Sequence, residues 1–130
     1  MDHETRAADR VTTAVVMADG VATRYRRSGS GPTVVVLGAE PVVEPLARSY
    51  RVIVPEVPPH LSDTTAGGRA RWLSGVFDGL GIDVAVIVTA PVLAGAVALF
   101  AGGAPDRVKG VLPAPGNPAD LPAAVGRFYG

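Results

Sequence analysis

Short apolar runs alternate along the chain with segments whose apolar residues recur at helical spacing. This alternation predicts an α/β fold in which helices connect the strands of a mostly parallel, six-stranded sheet. The predicted strands are Val11–Met17, Val21–Arg26, Thr33–Leu37, Arg51–Val54, Asp83–Val88 and Lys109–Leu112. The predicted helices are a short one within Pro41–Ser49, then Thr64–Leu80, Val92–Ala101 and a final turn at Ala123–Tyr129.

Local signals support several of these elements. Asp19-Gly20 is a two-residue pair that suits a hairpin between the first two strands. The uninterrupted run Thr33–Leu37 is typical of a strand buried on both faces. In the long helix, Trp72 and Phe77 belong to an apolar stripe, so we assign them to the core rather than to a binding platform. Gly81 then ends the helix.

The chain has 130 residues, a length that suits one compact domain. We predict a single domain over residues 11–130 after a disordered tail over residues 1–10, where charges alternate and no apolar core is present. That tail has no feature of a signal peptide or a membrane anchor. Residues 84–105 carry no charge and are long enough to span a bilayer, but Pro91 and three glycines favour a strand followed by a helix.

The charge balance and the lack of cysteine exclude several classes of function. Twelve basic and twelve acidic residues cancel, and the densest basic cluster is Arg24, Arg26 and Arg27. A nucleic-acid or anionic-membrane partner requires a more concentrated basic face, so we expect neither partner. The absence of cysteine excludes disulfides, thiolate catalysis and cysteine-based metal sites. A cytoplasmic location is the default expectation.

Four fragments in a fixed order carry a family resemblance. They are G-S-G-P-T-V-V-V-L-G over residues 29–38, Y-R-V-I-V-P-E-V-P-P-H over residues 50–60, the strand–turn–helix outline of residues 83–99, and A-P-D-R-V over residues 104–108. Together they resemble the N-terminal half of an α/β-hydrolase, and the resemblance covers nearly all of the chain. It implies half of an α/β-hydrolase fold, truncated after the sixth strand.

The catalytic chemistry of that family is missing at the matching positions. The nucleophile elbow G-x-S-x-G is a strained turn above the sheet, and it falls on A-P-V-L-A over residues 90–94. In this register Val92 occupies the nucleophile position, and in a register that starts one residue earlier Pro91 does, so neither supplies Ser, Cys or Asp. No histidine follows His60, and Asp120 suits a helix cap better than a catalytic acid. We predict that the protein carries out no covalent ester or amide hydrolysis.

Glu40 and His60 are the candidate catalytic residues. Both follow strands at the edge of the sheet where open α/β folds bind ligands, and a histidine with a carboxylate partner can perform acid/base chemistry near neutral pH. The alternatives are that Glu40 is solvated and that His60, which matches a structural histidine of the family, is buried. The candidate substrate-binding residues on the same rim are Gly38, Ala39, Thr89, Pro91 and Val92, of which Gly38 and Ala39 match the family's oxyanion-hole His-Gly.

We predict no metal and no cofactor. Two histidines, one of them in the predicted tail, give no ligand spacing of a known metal site. The glycines of residues 28–31 precede a strand rather than a helix, so they match neither a dinucleotide-binding motif nor a phosphate-binding loop.

Three functions remain open from the sequence. The first is a non-hydrolytic catalyst that acts on a hydrophobic small molecule or peptide by acid/base chemistry, for instance a cyclisation, elimination or isomerisation. The second is an inactive pseudoenzyme that binds such a molecule, and the third is a structural subunit of a larger complex. A pocket that joins Glu40 and His60 favours the catalyst. An apolar pocket without convergent polar groups favours the pseudoenzyme, and the absence of a pocket favours the structural subunit.

We also predict a homodimer. Truncation after the sixth strand leaves Val108–Leu112 as an exposed apolar edge, and bare edges pair readily. Either the same strand of a second chain pairs with this edge, or the segment Asn117–Tyr129 folds over it.

Overall fold

The computed structural model describes residues 11–38, 43–58, 65–114 and 118–129, which form six strands and four α-helices. The strands are β1 (Val11–Ala18), β2 (Val21–Ser28), β3 (Thr33–Leu37), β4 (Arg51–Pro55), β5 (Ala85–Thr89) and β6 (Val108–Pro113). The helices are α1 (Val43–Ala47), α2 (Ala66–Leu80), α3 (Ala94–Gly103) and α4 (Leu121–Tyr129).

The strands form one sheet in the order β1-β2-β4-β3-β5-β6, which confirms the predicted fold class. The pairs β1–β2 and β2–β4 are antiparallel, whereas β4, β3, β5 and β6 run parallel to one another. The predicted hairpin is also confirmed: Asp19 has φ 53° and Gly20 has φ 78°. Positive φ at both central residues is the conformation that matches a two-residue turn to the twist of its strands.

Helices cover both faces of the central strands. β3 and β5 are buried along their whole length, as their uninterrupted apolar runs predict. One core cluster joins α2 and α3 to alternate strand residues, including Val35, Ile53 and Ile87. The other cluster joins α1 and α4 to the strand residues whose side chains point to the opposite face of the sheet, including Val34 and Val86. The sheet is therefore the middle layer of three.

Helix α2 begins and ends where local chemistry requires. The Thr65 side chain accepts a hydrogen bond from the Gly68 N–H at 3.2 Å, so it caps the start of the helix. Gly81 ends the helix in the left-handed conformation, at φ 67°. Trp72 is buried, and its indole Nε1 donates to the Thr23 hydroxyl at 2.9 Å, which confirms its assignment to the core.

Arg107, from the A-P-D-R-V fragment, links the segment before β6 to the end of α2. Its Nη1 lies 2.6 Å from Asp78 Oδ1, and its Nη2 donates to the Ile82 carbonyl at 2.9 Å. The guanidinium also lies over the Phe77 ring, 5.4 Å from its centroid. The fragment therefore has a structural role in this protein.

The C-terminal helix is longer than its sequence predicts. We expected a final turn at Ala123–Tyr129, but α4 begins at Leu121, directly after a short 3-10 turn over Pro118–Asp120. Pro122 does not prevent this, because the first turn of a helix has no intrahelical partner for its N–H groups. Leu121 and Val125 are buried against the sheet.

No helix within the described ranges is long and apolar enough to cross a lipid bilayer.

Candidate functional site at the carboxyl edge of the sheet

The carboxyl ends of β3, β5 and β6 are tied together by backbone hydrogen bonds. The Ala90 N–H donates to the Leu37 carbonyl at 2.8 Å, just beyond the paired residues of β3 and β5. The Ala114 N–H donates to the Thr89 carbonyl at 3.1 Å, just beyond the pairing of β5 and β6. These bonds hold the ends of the three strands in fixed relative positions.

Gly38 follows β3 directly and lies against the turn after β5. Its φ is +72°, a conformation that glycine adopts without steric cost. A Cβ at this position would lie 3.1 Å from the Ala90 Cβ and 3.7 Å from Leu93 Cδ1. The structure therefore brings together two regions that the sequence analysis placed on one rim, the end of β3 and the elbow.

A cavity of about 360 Å³ opens at this edge. Its lining comes from the end of β3 and from the end of β4 with the residues that follow it. Glu56 is the ionisable residue of that lining; it is exposed, and its backbone N–H donates to the Arg24 carbonyl at 2.8 Å. The lining residues are Gly38, Val54, Pro55, Glu56 and Val57.

Glu56, which lines this cavity, is not among the candidate residues that the sequence singles out. The available signal was its position, because it directly follows β4, and the carboxyl ends of parallel strands in open α/β sheets are where ligands bind. Glu40 is a candidate by the same rule, from its position after β3.

The elbow after β5 has the predicted strand–turn–helix outline but an unstrained backbone. Ala90 lies in the extended region at φ −66°, ψ 151°, and a 3-10 turn over Pro91–Leu93 leads directly into α3. Leu93 is at φ −103°, ψ 0°. Among the described non-glycine residues, Asp19 of the hairpin turn is the one with a positive φ. The elbow therefore lacks both a nucleophile and the strain that presents one.

Three of the predicted substrate-binding residues lie at this elbow, in different environments. Thr89 is only 3% exposed, and its hydroxyl donates to the Ala90 carbonyl at 2.9 Å. Pro91 is exposed, and the Val92 side chain is 74% exposed. Pro91 and Val92, the two candidates for the nucleophile position, therefore present an apolar surface, whereas Thr89 is held inside the sheet.

Ala39, Glu40 and His60 lie outside the described residues. Among the residues that are described, no group of three His, Cys, Asp or Glu side chains could hold a metal ion. The proposed pairing of Glu40 with His60 stays a prediction.

Two other cavities lie away from the carboxyl edge. One of about 520 Å³ lies between the hairpin turn and α2, and its lining includes Asp19 and Asp78. The other, of about 340 Å³, lies at the amino ends of the strands, and its lining includes Arg51 and Asp83. Neither cavity contains a residue that the sequence analysis singled out as a candidate for substrate binding or catalysis.

Tyr129 closes one side of the amino-end cavity and has a structural role. Its hydroxyl donates to the Thr33 carbonyl at 2.5 Å and accepts from the Val86 N–H at 3.1 Å, so it anchors α4 to β3 and β5. Burial raises the pKa of this hydroxyl above its ordinary value. Both hydrogen-bonding functions of the hydroxyl are thus used within the fold.

No protein-family model and no curated protein sequence matches this chain. Solved structures do match. A mutant epoxide hydrolase from Vigna radiata aligns with TM-score 0.68 and 24% identity over 80% of this chain and 38% of its own. A naproxen esterase from Bacillus subtilis aligns with TM-score 0.69 and 25% identity over 81% of this chain and 44% of its own. A membrane phospholipase A, described as a bacterial virulence factor, gives TM-score 0.70 at 18% identity over 79% of this chain and 39% of its own.

These similarities show the α/β-hydrolase fold over about four fifths of the chain. The chain spans about two fifths of the length of the structures it matches. The resemblance inferred from the sequence fragments is thereby confirmed at the level of the fold.

Proposed function

We propose that this protein binds a small, largely apolar molecule in the carboxyl-edge cavity and forms no covalent intermediate with it. The volume of about 360 Å³ lies within the usual range of about 300–1,000 Å³ for small-molecule sites. The lining is mostly apolar, with Glu56 as its charged residue. A ligand with a cationic or hydrogen-bond-donating group beside an apolar body fits that combination.

The elbow supports the non-covalent part of the proposal. Covalent hydrolysis in this fold requires a nucleophilic side chain on a strained turn, together with donors for the oxyanion. Residues 90–94 read A-P-V-L-A, and the backbone at Ala90 and Leu93 has ordinary dihedral angles. With Pro91 and Val92 exposed at the two candidate nucleophile positions, the turn presents an apolar surface in place of an attacking atom.

Acid/base catalysis by Glu40 and His60 is the second candidate. It is favoured by chain position: Glu40 is two residues beyond Gly38, and His60 is three residues beyond Val57, so both follow residues that line the cavity. A general base at either position would contribute a rate factor of about 10² to 10⁴. The described lining contains one charged side chain, Glu56, and for this reason binding is our first proposal.

Nile red, a neutral apolar fluorophore, provides a direct test. We expect it to bind at micromolar concentration, and we expect Val57→Phe to weaken binding about tenfold or more because the phenyl ring fills the cavity. Val111→Phe is the matched control, since Val111 is exposed on β6 and does not line the cavity. Absence of binding by the wild type, or equal weakening by both variants, would contradict the proposal.

Binding and acid/base catalysis are distinguished by whether the protein converts its natural ligand or leaves it unchanged. Native mass spectrometry can identify a molecule that co-purifies with the protein, and that molecule can then be incubated with fresh protein. Conversion that slows by about 10² to 10⁴ in Glu40→Gln supports catalysis. A ligand recovered unchanged supports binding.

A further inference from the structure

The sheet has two outer edges, β1 and β6, and their chemistry differs. Within the described residues, β1 pairs with β2 alone and β6 pairs with β5 alone. Each outer strand therefore presents a row of backbone N–H and C=O groups without a strand partner. Such edges pair readily with another chain unless charges, proline or a covering element prevent it.

β6 has several features that oppose pairing. Lys109 is exposed on it, Gly110 interrupts it and Pro113 ends it. The Phe128 ring of α4 lies where a Cβ of Gly110 would be, so the helix packs closely over this strand. A charged residue and a proline are the usual means by which proteins protect an edge strand.

β1 has none of these protections. Its eight residues, V-T-T-A-V-V-M-A, include no charge, no proline and no glycine. Val11, Val15 and Met17 are 58%, 63% and 60% exposed. Because side chains alternate along a strand, these three residues lie on one face, opposite the face that packs on α2. A long, uncharged, apolar edge of this kind is a predicted site of strand pairing.

The hairpin also sets which backbone groups point outward. A two-residue turn closes on a hydrogen-bonded pair, here Ala18 and Val21, and such pairs alternate along an antiparallel ladder. The N–H and C=O groups of Val11, Thr13, Val15 and Met17 therefore point away from β2. The residues with exposed side chains are thus the same residues that can accept a further strand.

Helix α2 holds this edge in place. A Cβ on Gly75 would lie 2.5 Å from the Asp19 nitrogen, and one on Gly79 would lie 2.5 Å from Val16 Cγ2. The two glycines, one helical turn apart, let α2 approach the β1 backbone closely. Because α2 packs against it, β1 is already ordered. Another strand can therefore pair with it without the cost of ordering β1.

We propose that two copies of this chain associate through β1, with the two strands antiparallel about a two-fold axis. A strand that carries no charge can lie beside itself without like-charge repulsion, and the antiparallel arrangement makes the contact self-complementary. With Ala14 on the axis, Val11 pairs with Met17 of the second copy and Thr13 with Val15. Pairing of β1 with the β6 edge of another copy would meet Lys109 and Pro113, and such a head-to-tail contact would generate a ring or an open filament in place of a dimer.

Charged variants at the two edges test the assignment. Sedimentation velocity of the wild type at micromolar concentration is expected to show a dimer, and Val15→Lys is expected to raise the dissociation constant about tenfold or more. Val111→Lys, a lysine at an exposed valine of β6, is the matched control and leaves the dimer intact. A monomeric wild type, a filament, or dissociation by Val111→Lys alone would overturn the proposal.

Disulfide cross-linking checks the same contact without a charged variant. The chain has no cysteine, so single cysteines at Thr13, Ala14 and Val15 report on β1 alone. At least one of them is expected to give an intermolecular disulfide under mild oxidation, because residues near a two-fold axis approach their own counterparts. Failure of all three to cross-link, with the fold intact by circular dichroism, would contradict the β1 interface.

Discussion

The hairpin turn and the elbow differ in their backbone dihedral angles. At the hairpin, Asp19 and Gly20 have φ of 53° and 78°, as a two-residue turn between twisted strands requires. At the elbow, Ala90 and Leu93 have ordinary dihedral angles. Among the described non-glycine residues, the positive φ therefore lies at a strand connection, and not at the turn where a hydrolase would use strain to present a nucleophile.

The difference extends to what supports each turn. The hairpin turn lies against Gly75 of α2, which leaves room for the backbone of Ala18 and Asp19. The elbow continues directly into α3, and its central residue, Val92, is exposed. The hairpin turn is held by a neighbouring helix, whereas the elbow exposes the Val92 side chain to solvent.

The largest expected effect comes from Gly75→Ala. The new Cβ would lie 2.5 Å from the Asp19 nitrogen, so we expect the free energy of unfolding to fall by about 1–3 kcal/mol, as measured by urea denaturation. Gly67→Ala is the control in the same helix, where the nearest atom outside the helix backbone would be 3.7 Å away. This control should raise stability by about 0.5–1 kcal/mol, because alanine favours the helix. Equal effects of the two substitutions would show that α2 does not support the turn.

A smaller effect is expected from alanine at the hairpin turn itself. A Cβ added at Gly20 would have no atom within 4 Å, so the cost of Gly20→Ala comes from the positive φ alone. We expect the free energy of unfolding to fall by about 1–2 kcal/mol. Ala90→Gly is the counterpart at the elbow. Ala90 has dihedral angles that alanine adopts without strain, so glycine only adds flexibility to the unfolded chain, and we expect the free energy of unfolding to fall by up to about 1 kcal/mol. If Ala90→Gly instead stabilises the protein in thermal unfolding, the elbow is strained and the contrast between the turns fails.

Much of the fold follows from signals that act over a few residues. The runs Thr33–Leu37 and Ala85–Thr89 are apolar apart from one terminal threonine each because both faces of those strands are covered, and the sequence shows this directly. The Asp19-Gly20 pair and Gly81 mark a turn and a helix end, since each needs a positive φ. The start of α4 was missed because the prolines around it suggested an irregular segment, although Pro122 is compatible with a first helical turn.

The site was less predictable because it depends on contacts between distant segments. The meeting of Gly38 with the elbow followed from the rule that parallel strands end at one edge, so position sufficed there. Whether Glu56 lines a cavity depends on which residues of distant segments enclose that cavity, and no local pattern shows that. Thr89 was chosen as a rim residue, but both faces of β5 are covered to its end, which leaves this side chain buried. Glu40 and His60 remain predictions from position.

The most direct test of the account is active-site labelling with a fluorophosphonate probe, applied to the wild type and to Val92→Ser. Val92→Ser supplies a hydroxyl at a candidate nucleophile position, but the turn lacks the strain that presents a nucleophile, and no histidine follows this position in the sequence to act as its base. We therefore predict no labelled serine in either protein, with the stability of the variant within about 0.5 kcal/mol of the wild type because the site is exposed. Stoichiometric labelling of one wild-type serine, abolished when that serine is replaced by alanine, would contradict the account.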